Sequence, residues 1–145
     1  EKAYVHRGMA HEAMGNRQAA LADYERTIAV SPDFPDGYLN RGNIFNHQGS
    51  LSKALADYDR AILLNSRFER AINNRGTVYA KLFDDKRALD DFNQAIALDQ
   101  KYAEAYYNRS VIYDRMGQDA QALADALKAK KLGADVPESC LKTLH

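Results

Sequence analysis

The sequence predicts an all-α fold in which four helical hairpins stack in series. Two observations predict it: equivalent residues recur every 34 positions through four rows of the chain, and each half of a row has the apolar spacing of one helical face. A small residue recurs at the eighth column, an Ala-Leu pair at the twentieth and twenty-first, and an aromatic residue at the twenty-fourth in rows one to three. A period of this length is typical of a repeat protein.

Each row is predicted to form two helices joined by a turn. In row two, Tyr38, Gly42 and Phe45 lie on one helical face, and Leu55 and Tyr58 belong to a second apolar stripe. A glycine separates the two halves in rows one, two and four. Neither helix can bury its stripe alone, so the two helices are expected to pair antiparallel and successive pairs to stack.

The eighth column predicts close contact between the two helices of a row. Glycine inside a helix costs about 1 kcal/mol relative to alanine, yet Gly8, Gly42 and Gly76 occupy this column in three rows. The aromatic residue at the twenty-fourth column, such as Tyr24 or Tyr58, is expected to fill the next layer. Close packing would then offset the cost of the glycine.

This pattern resembles the tetratricopeptide repeat over residues 1–136. The resemblance rests on the Gly, Ala and aromatic columns, on Pro32 near the end of row one, and on the fourth column. That fourth column holds Tyr4, Tyr38, Ile72 and Tyr106. The resemblance implies a right-handed superhelical α-solenoid that forms one array domain. The four repeats would span residues 1–34, 35–68, 69–102 and 103–136.

Two features depart from the family pattern. The seventh column, usually leucine in that family, is arginine in all four rows. Phe83 occupies the turn column that holds Gly15, Gly49 and Gly117 in the other rows. Because a positive φ strains a bulky residue, the turn of row three is expected to be reshaped.

The end of the fourth row predicts a capping helix. Gly133 is placed to end the preceding helix, and Asp135 and Pro137 match the N-cap and first turn of a further one. Residues 137–145 are therefore expected to form a C-terminal capping helix. Its apolar residues that would cover the last repeat are Cys140, Leu141 and Leu144. No comparable cap begins the first row, so further repeats are expected to precede it.

The arginine column predicts a structural ion pair in every repeat. An aspartate follows each arginine by 16 residues, which places one charge on each helix of a hairpin. The four pairs are Arg7–Asp23, Arg41–Asp57, Arg75–Asp91 and Arg109–Asp125. A guanidinium can bond a carboxylate through two nitrogens. If the pair is buried, Arg41→Met is expected to destabilise the fold less than Asp57→Ala; the alternative is that both charges are solvated.

Asparagines recur on the first helix of the repeats, and the resemblance implies that the free face of this helix lines an inner concave surface. Asn40, Asn74 and Asn108 share the sixth column, and Asn43 and Asn73 lie nearby. Each carboxamide is both a donor and an acceptor, as is a peptide group. The asparagines are therefore predicted to form a ladder that grips the main chain of a bound peptide. The alternative is that they bond carbonyl groups within the array.

The resemblance also implies that other first-helix columns face a partner. The residues predicted to contact it are His47, Arg70, Lys81, Tyr107 and Arg115. Charges along these columns balance, so the groove is not expected to suit one strongly charged ligand. Asn40 and Arg70 match the carboxylate-binding cluster of chaperone-docking members, but Val5, Met9 and Asn74 do not. Binding of a chaperone C-terminus is therefore disfavoured.

Composition and motifs argue against several classes of function. The 20 basic and 20 acidic residues cancel, which argues against nucleic-acid binding. No apolar run reaches the ~18 residues of a membrane helix and no signal segment opens the chain, so a soluble, cytoplasmic protein without membrane insertion is expected. The histidines lack zinc-site spacing, and no phosphate-binding loop is present. We therefore predict no catalytic residues, no metal, no cofactor and no enzymatic activity.

Together these patterns predict a non-catalytic protein–protein interaction scaffold that binds an extended peptide segment. Two alternatives remain open at this point. One is a structural module that self-associates weakly through the ends of the array. The other is a targeting domain within a larger multidomain protein.

Overall fold

The computed structural model describes residues 2–142, and these are helical with no strand among them. Each 34-residue row contains two helices, which confirms the predicted all-α helical repeat. The helices are α1 (Lys2–Ala13), α2 (Arg17–Val30), α3 (Pro35–His47), α4 (Leu51–Leu64), α5 (Glu69–Lys81), α6 (Asp85–Leu98), α7 (Ala103–Arg115) and α8 (Asp119–Lys131), followed by a 3₁₀ helix at Glu138–Leu141. None of the helices in this part of the chain has the length and apolarity needed to cross a bilayer.

The chain divides into two compact units, residues 1–74 and 75–145, with the boundary inside α5. In the first unit, α1 packs on α2 and α3 packs on α4, and α2 and α1 both contact α3. In the second unit, α7 packs on α6 and α8, and α8 contacts the 3₁₀ helix. Each hairpin therefore buries its apolar stripes against its partner helix and against the neighbouring hairpin of the same unit.

The eighth-column glycines lie against the aromatic side chains of the twenty-fourth column. A Cβ atom at Gly42 would lie 2.8 Å from Cε1 of Tyr58, and one at Gly76 would lie 2.6 Å from Cε1 of Phe92. These distances are shorter than a carbon–carbon contact allows. The predicted close packing of the two helices is confirmed at these glycines.

Row four solves the same packing problem with different residues. Ser110 replaces the glycine, and Ala126 replaces the aromatic side chain; both are buried. The smaller Ala126 leaves room for the serine Cβ, and the Ser110 hydroxyl donates a 2.6 Å hydrogen bond to the carbonyl of Tyr107. A larger side chain at the eighth column therefore accompanies a smaller one at the twenty-fourth column, so that the space between the helices stays filled.

Phe83 adopts the same left-handed backbone as the turn glycines, so the prediction of a reshaped turn is wrong. Its φ is 58°, against 79° at Gly49. The hydrogen bonds of the turn are also retained, because the amides of Phe83 and Asp84 bond the carbonyls of Ala80 and Tyr79 at 3.0 and 2.9 Å. These bonds hold Phe83 in a conformation that costs a non-glycine residue about 1–2 kcal/mol.

Replacement of Phe83 by glycine is therefore expected to raise the free energy of unfolding, by about 0.5–1 kcal/mol. Relief of the left-handed strain exceeds the extra chain entropy that glycine loses on folding. The ring is 78% exposed, so little buried area is lost. Urea unfolding measures the change.

Phe83→Ala is the matched control because it removes the ring and keeps the Cβ atom that causes the strain. It is expected to give no gain. A gain with alanine equal to the gain with glycine would show that the ring, rather than the backbone, is unfavourable.

Within residues 137–145, where a capping helix is predicted, the structure has a 3₁₀ helix that spans only Glu138–Leu141. Gly133 ends α8 with a φ of 104°, as expected. Pro137, however, has a ψ of 141° and stands before the helix instead of in its first turn. The amide of Cys140 bonds the carbonyl of Pro137 at 3.0 Å, which closes a 3₁₀ turn at Glu138–Leu141. Cys140 and Leu141 are only partly buried, and Leu144 lies outside the described residues.

Candidate functional site

The four seventh-column arginines each bond the aspartate 16 residues later in the chain, as predicted. Nε and Nη2 of Arg41 donate to the two carboxylate oxygens of Asp57 at 2.9 and 2.8 Å. The equivalent pairs Arg75–Asp91 and Arg109–Asp125 have the same two-nitrogen geometry. Because the aspartates are buried on the second helix, these bonds join the two helices of a repeat. The pKa of Arg41 is raised above its ordinary value, mainly by the hydrogen bond to Asp57.

The first repeat uses a different arrangement of the same residues. Nε and Nη2 of Arg7 both donate to Oδ1 of Asp23, at 3.0 and 2.6 Å, and Arg26 donates to that oxygen as well. The other oxygen, Oδ2, is buried without a hydrogen bond among the described residues, and Nε2 of His11 lies 3.5 Å from it. The bond from Arg7 holds the pKa of Asp23 below its ordinary value.

Aromatic rings cover the arginines. The guanidinium carbon of Arg41 lies 5.7 Å from the ring centroid of Phe45, and that of Arg75 lies 5.9 Å from the centroid of Tyr79. A guanidinium prefers such a ring face, which supports it beside the carboxylate. The arginine column is thus explained by contacts inside each repeat.

Two of the predicted peptide-binding asparagines are buried. Asn40 is 7% exposed and Asn73 is fully buried. Asn40 lies on α3, a helix that is contacted by α1, α2 and α4. Neither amide is presented on the surface of the protein, which corrects the prediction that these two residues contact a partner.

Asn43 and Asn74 are bonded to each other. The side-chain amide of Asn74 donates to Oδ1 of Asn43 at 2.8 Å, and the hydroxyl of Tyr58 donates to the same oxygen at 2.7 Å. Tyr58 is completely buried, and burial raises its pKa above the ordinary value. Asn43 therefore satisfies a buried phenol, since a hydroxyl left without a partner would cost about 1–3 kcal/mol. Asn108 is partly exposed.

The polar partners of the buried tyrosines are functional contacts that the sequence pattern does not reveal. The hydroxyl of Tyr24 donates to Oε1 of Glu12, and the hydroxyl of Tyr58 donates to Oδ1 of Asn43. In row three the aromatic residue is Phe92, which has no hydroxyl, and the residue equivalent to Glu12 is Ala80. Glu12 is in the twelfth column but Asn43 is in the ninth, and row four has Asp114 at the twelfth column without a tyrosine, so no fixed spacing identifies the partner.

The remaining predicted contact residues lie on the first helices or beside them. In the first unit, His47 and Arg70 are exposed. In the second unit, Lys81 is exposed, and Tyr107 is partly buried, which raises its pKa. Arg115 donates to the carbonyl of Ala80 at 3.1 Å and pairs with Asp85, so its guanidinium is held by its own unit. Among residues 2–142, no group of three or more histidine, cysteine or acidic side chains could hold a metal ion.

Sequence models of the tetratricopeptide repeat match most of the chain. One matches residues 6–72 and another residues 103–133, both described as a tetratricopeptide repeat; a third, described as a TPR repeat, matches residues 84–117. Comparison with curated protein sequences gives no match.

Solved structures share the fold at low sequence identity. TTC0263, a thermophilic TPR protein of Thermus thermophilus, superposes with a TM-score of 0.85 at 22% identity, over 97% of this chain and 78% of that one. MamA gives a TM-score of 0.75 at 23% identity, over 90% and 72% of the two chains. YrrB, described as a TPR protein with an unusual peptide-binding site, gives 0.73 at 19% identity, over 90% and 67%.

Proposed function

The chain belongs to the tetratricopeptide-repeat family, and we propose that it is a non-catalytic interaction module that binds an extended segment of a partner protein. The observation that carries this proposal is a difference between the structural columns and the exposed columns of the repeat. The arginine and aspartate columns of the ion pairs are identical in all four rows, whereas exposed columns on the first helices change from row to row. A uniform frame with variable exposed side chains is what recognition of one particular partner requires.

The second and thirteenth columns illustrate this variation. The second column holds Asp36, Arg70 and Glu104 in rows two to four, and the thirteenth holds His47 and Lys81 in rows two and three. Arg70, Glu104, His47 and Lys81 are exposed. By contrast, the seventh column is arginine in every row and is occupied by ion pairs within the repeats. Because these first-helix side chains are exposed, a partner can contact them.

The proposed contacts differ from a simple asparagine ladder. Asn40, Asn43 and Asn73 act inside the protein, where they support the first helices. The carboxamide of Asn74 is likewise bonded to Asn43 and Asn73, whereas Asn108 is partly exposed and would contribute a main-chain contact. His47 and Arg70 in the first unit, and Lys81 and Tyr107 in the second, would contact side chains of the partner. The peptide-binding site that YrrB is described as having supports this class of function by analogy of fold.

The test is capture of partners from the source organism with the wild-type chain and with the variant His47→Ala/Arg70→Ala/Lys81→Ala. The captured partner is then titrated against each protein by calorimetry. We expect the variant to bind at least about tenfold more weakly, which is about 1.4 kcal/mol, because contact residues commonly contribute at this level. Its melting temperature should be unchanged, since the three side chains are exposed.

The matched control is Lys86→Ala/Gln94→Ala/Lys130→Ala, which removes three exposed side chains from second helices. It is expected to bind like the wild type. An equal loss with both variants would contradict the proposal. Light scattering that shows partner binding only by a self-associated form would favour an assembly module instead.

A further inference from the structure

A cavity of about 320 Å³ lies at the C-terminal end of the second unit, between α7, α8 and the 3₁₀ helix. Val111, Leu123 and Cys140 give it an apolar floor, and Asp114, Asp119 and Lys142 also line it. This volume is at the lower end of the range of cavities that hold ligands, roughly 300–1,000 Å³. It is large enough to take a side chain of another protein.

The two aspartates of this cavity differ from the buried aspartates of the second unit. Asp91 and Asp125 are buried and paired with arginines. The carboxylates of Asp114 and Asp119 are exposed and form no ion pair or hydrogen bond with any described residue. They are therefore available to a cation from outside the chain.

The position of Asp114 has no explanation in the stability of its own helix. It lies in the last turn of α7, where the helix dipole disfavours a negative charge. Asp119, in the first turn of α8, is favoured by the dipole of that helix. The two carboxylates, from the end of one helix and the start of the next, line the same apolar cavity.

We propose that this cavity receives a lysine side chain, flanked by an apolar residue, from the partner's extended segment. The inference rests on the proposed function and names the chemistry of one contact. The aliphatic stem of lysine would pack on Val111 and Leu123, and its ammonium group would lie between the carboxylates. Lys142 carries the one positive charge among the lining residues, so the two aspartates leave an excess of one negative charge. A glutamate in the same place would be repelled.

The test uses three capped peptides with the full chain: acetyl-Leu-Lys-Leu-amide and the same peptide with norleucine or glutamate in the centre. Methyl NMR signals of Val111 and Leu123 report occupancy of the cavity. Cys140 is the only cysteine of the chain and lines the cavity, so its rate of alkylation by iodoacetamide is a second report. The lysine peptide is expected to shift both methyl signals and to slow alkylation at least about twofold.

The decisive comparison is between binding of the positively charged lysine peptide and binding of the neutral norleucine peptide. Asp114→Asn/Asp119→Asn is nearly isosteric and is expected to weaken binding of the lysine peptide about three- to tenfold, as two partly solvated ion pairs would. Lys142→Ala should strengthen it. Equal binding of the lysine and norleucine peptides, no effect of the double variant, or no shift of Val111 and Leu123 would overturn the inference.

The proposed function is tested separately from this cavity. If Asp114→Asn/Asp119→Asn captures the natural partner with wild-type affinity, the lysine contact is refuted while the interaction module stands. Failure of the module itself would appear with the variant His47→Ala/Arg70→Ala/Lys81→Ala, which leaves the cavity intact.

Discussion

Arg41→Met is expected to lower the free energy of unfolding by about 3–5 kcal/mol, because it leaves an unpaired carboxylate in the interior. The Asp57 side chain is 6% exposed, whereas that of Arg41 is 26% exposed. Asp57→Ala is expected to cost less, about 1–3 kcal/mol, because the remaining guanidinium keeps contact with water and with Phe45. This order is the reverse of the one that the sequence pattern predicts. Urea unfolding of the two variants measures both changes.

The matched control is Arg87→Met. Arg87 pairs with Asp84 at 3.6 Å on the surface, and such an exposed pair is worth at most about 1 kcal/mol. If Arg41→Met destabilises the protein no more than Arg87→Met does, the ion pairs do not hold the two helices together.

Gly42→Ser and Tyr58→Ala are each expected to be strongly destabilising, and their combination less so than the sum. Gly42→Ser forces a Cβ into the Tyr58 ring, at about 1–3 kcal/mol. Tyr58→Ala opens a cavity in the core, at about 3–5 kcal/mol. In the double variant the small side chain frees the space that serine needs, as Ser110 and Ala126 do in row four. A coupling energy of at least about 1 kcal/mol is expected from the double-mutant cycle.

Tyr58→Phe is the control that removes the hydroxyl and keeps the ring, so it tests the two contributions separately. Phenylalanine keeps the ring and so keeps the clash, and Gly42→Ser/Tyr58→Phe should show no compensation. Strict additivity in the cycle with alanine would contradict the packing explanation of the glycine column.

Sequence reasoning succeeded where the same or a similar residue recurs in at least three of the four rows. Gly42 with Tyr58, and Arg41 with Asp57, are contacts inside one hairpin, so their spacing in the chain is enough to predict them. The helix pairs follow for the same reason, because an apolar stripe of helical period must be buried within or beside its own hairpin.

It failed where a single row departs from the pattern or where neighbouring helices decide exposure. Phe83 adopts the left-handed conformation of the turn glycines although it has a bulky side chain. The backbone hydrogen bonds from the amides of Phe83 and Asp84 hold it there. Asn40 is buried on α3, which packs against helices of a neighbouring repeat as well as its own, and spacing within one row does not reveal such contacts. Pro137 has an extended ψ of 141°, so it precedes the short 3₁₀ helix instead of forming part of its first turn.

The most direct test of the proposed function is a map of the contact surface in a complex of the isotope-labelled chain with its captured partner, read from amide and side-chain chemical shifts. We expect the large shifts at first-helix residues, including the exposed Arg70 and Lys81 and the partly buried Tyr107, with the signals of Lys86 and Gln94 unchanged. Large shifts confined to second-helix surfaces, with Arg70, Lys81 and Tyr107 unperturbed, would contradict the assignment of recognition to the variable first-helix columns.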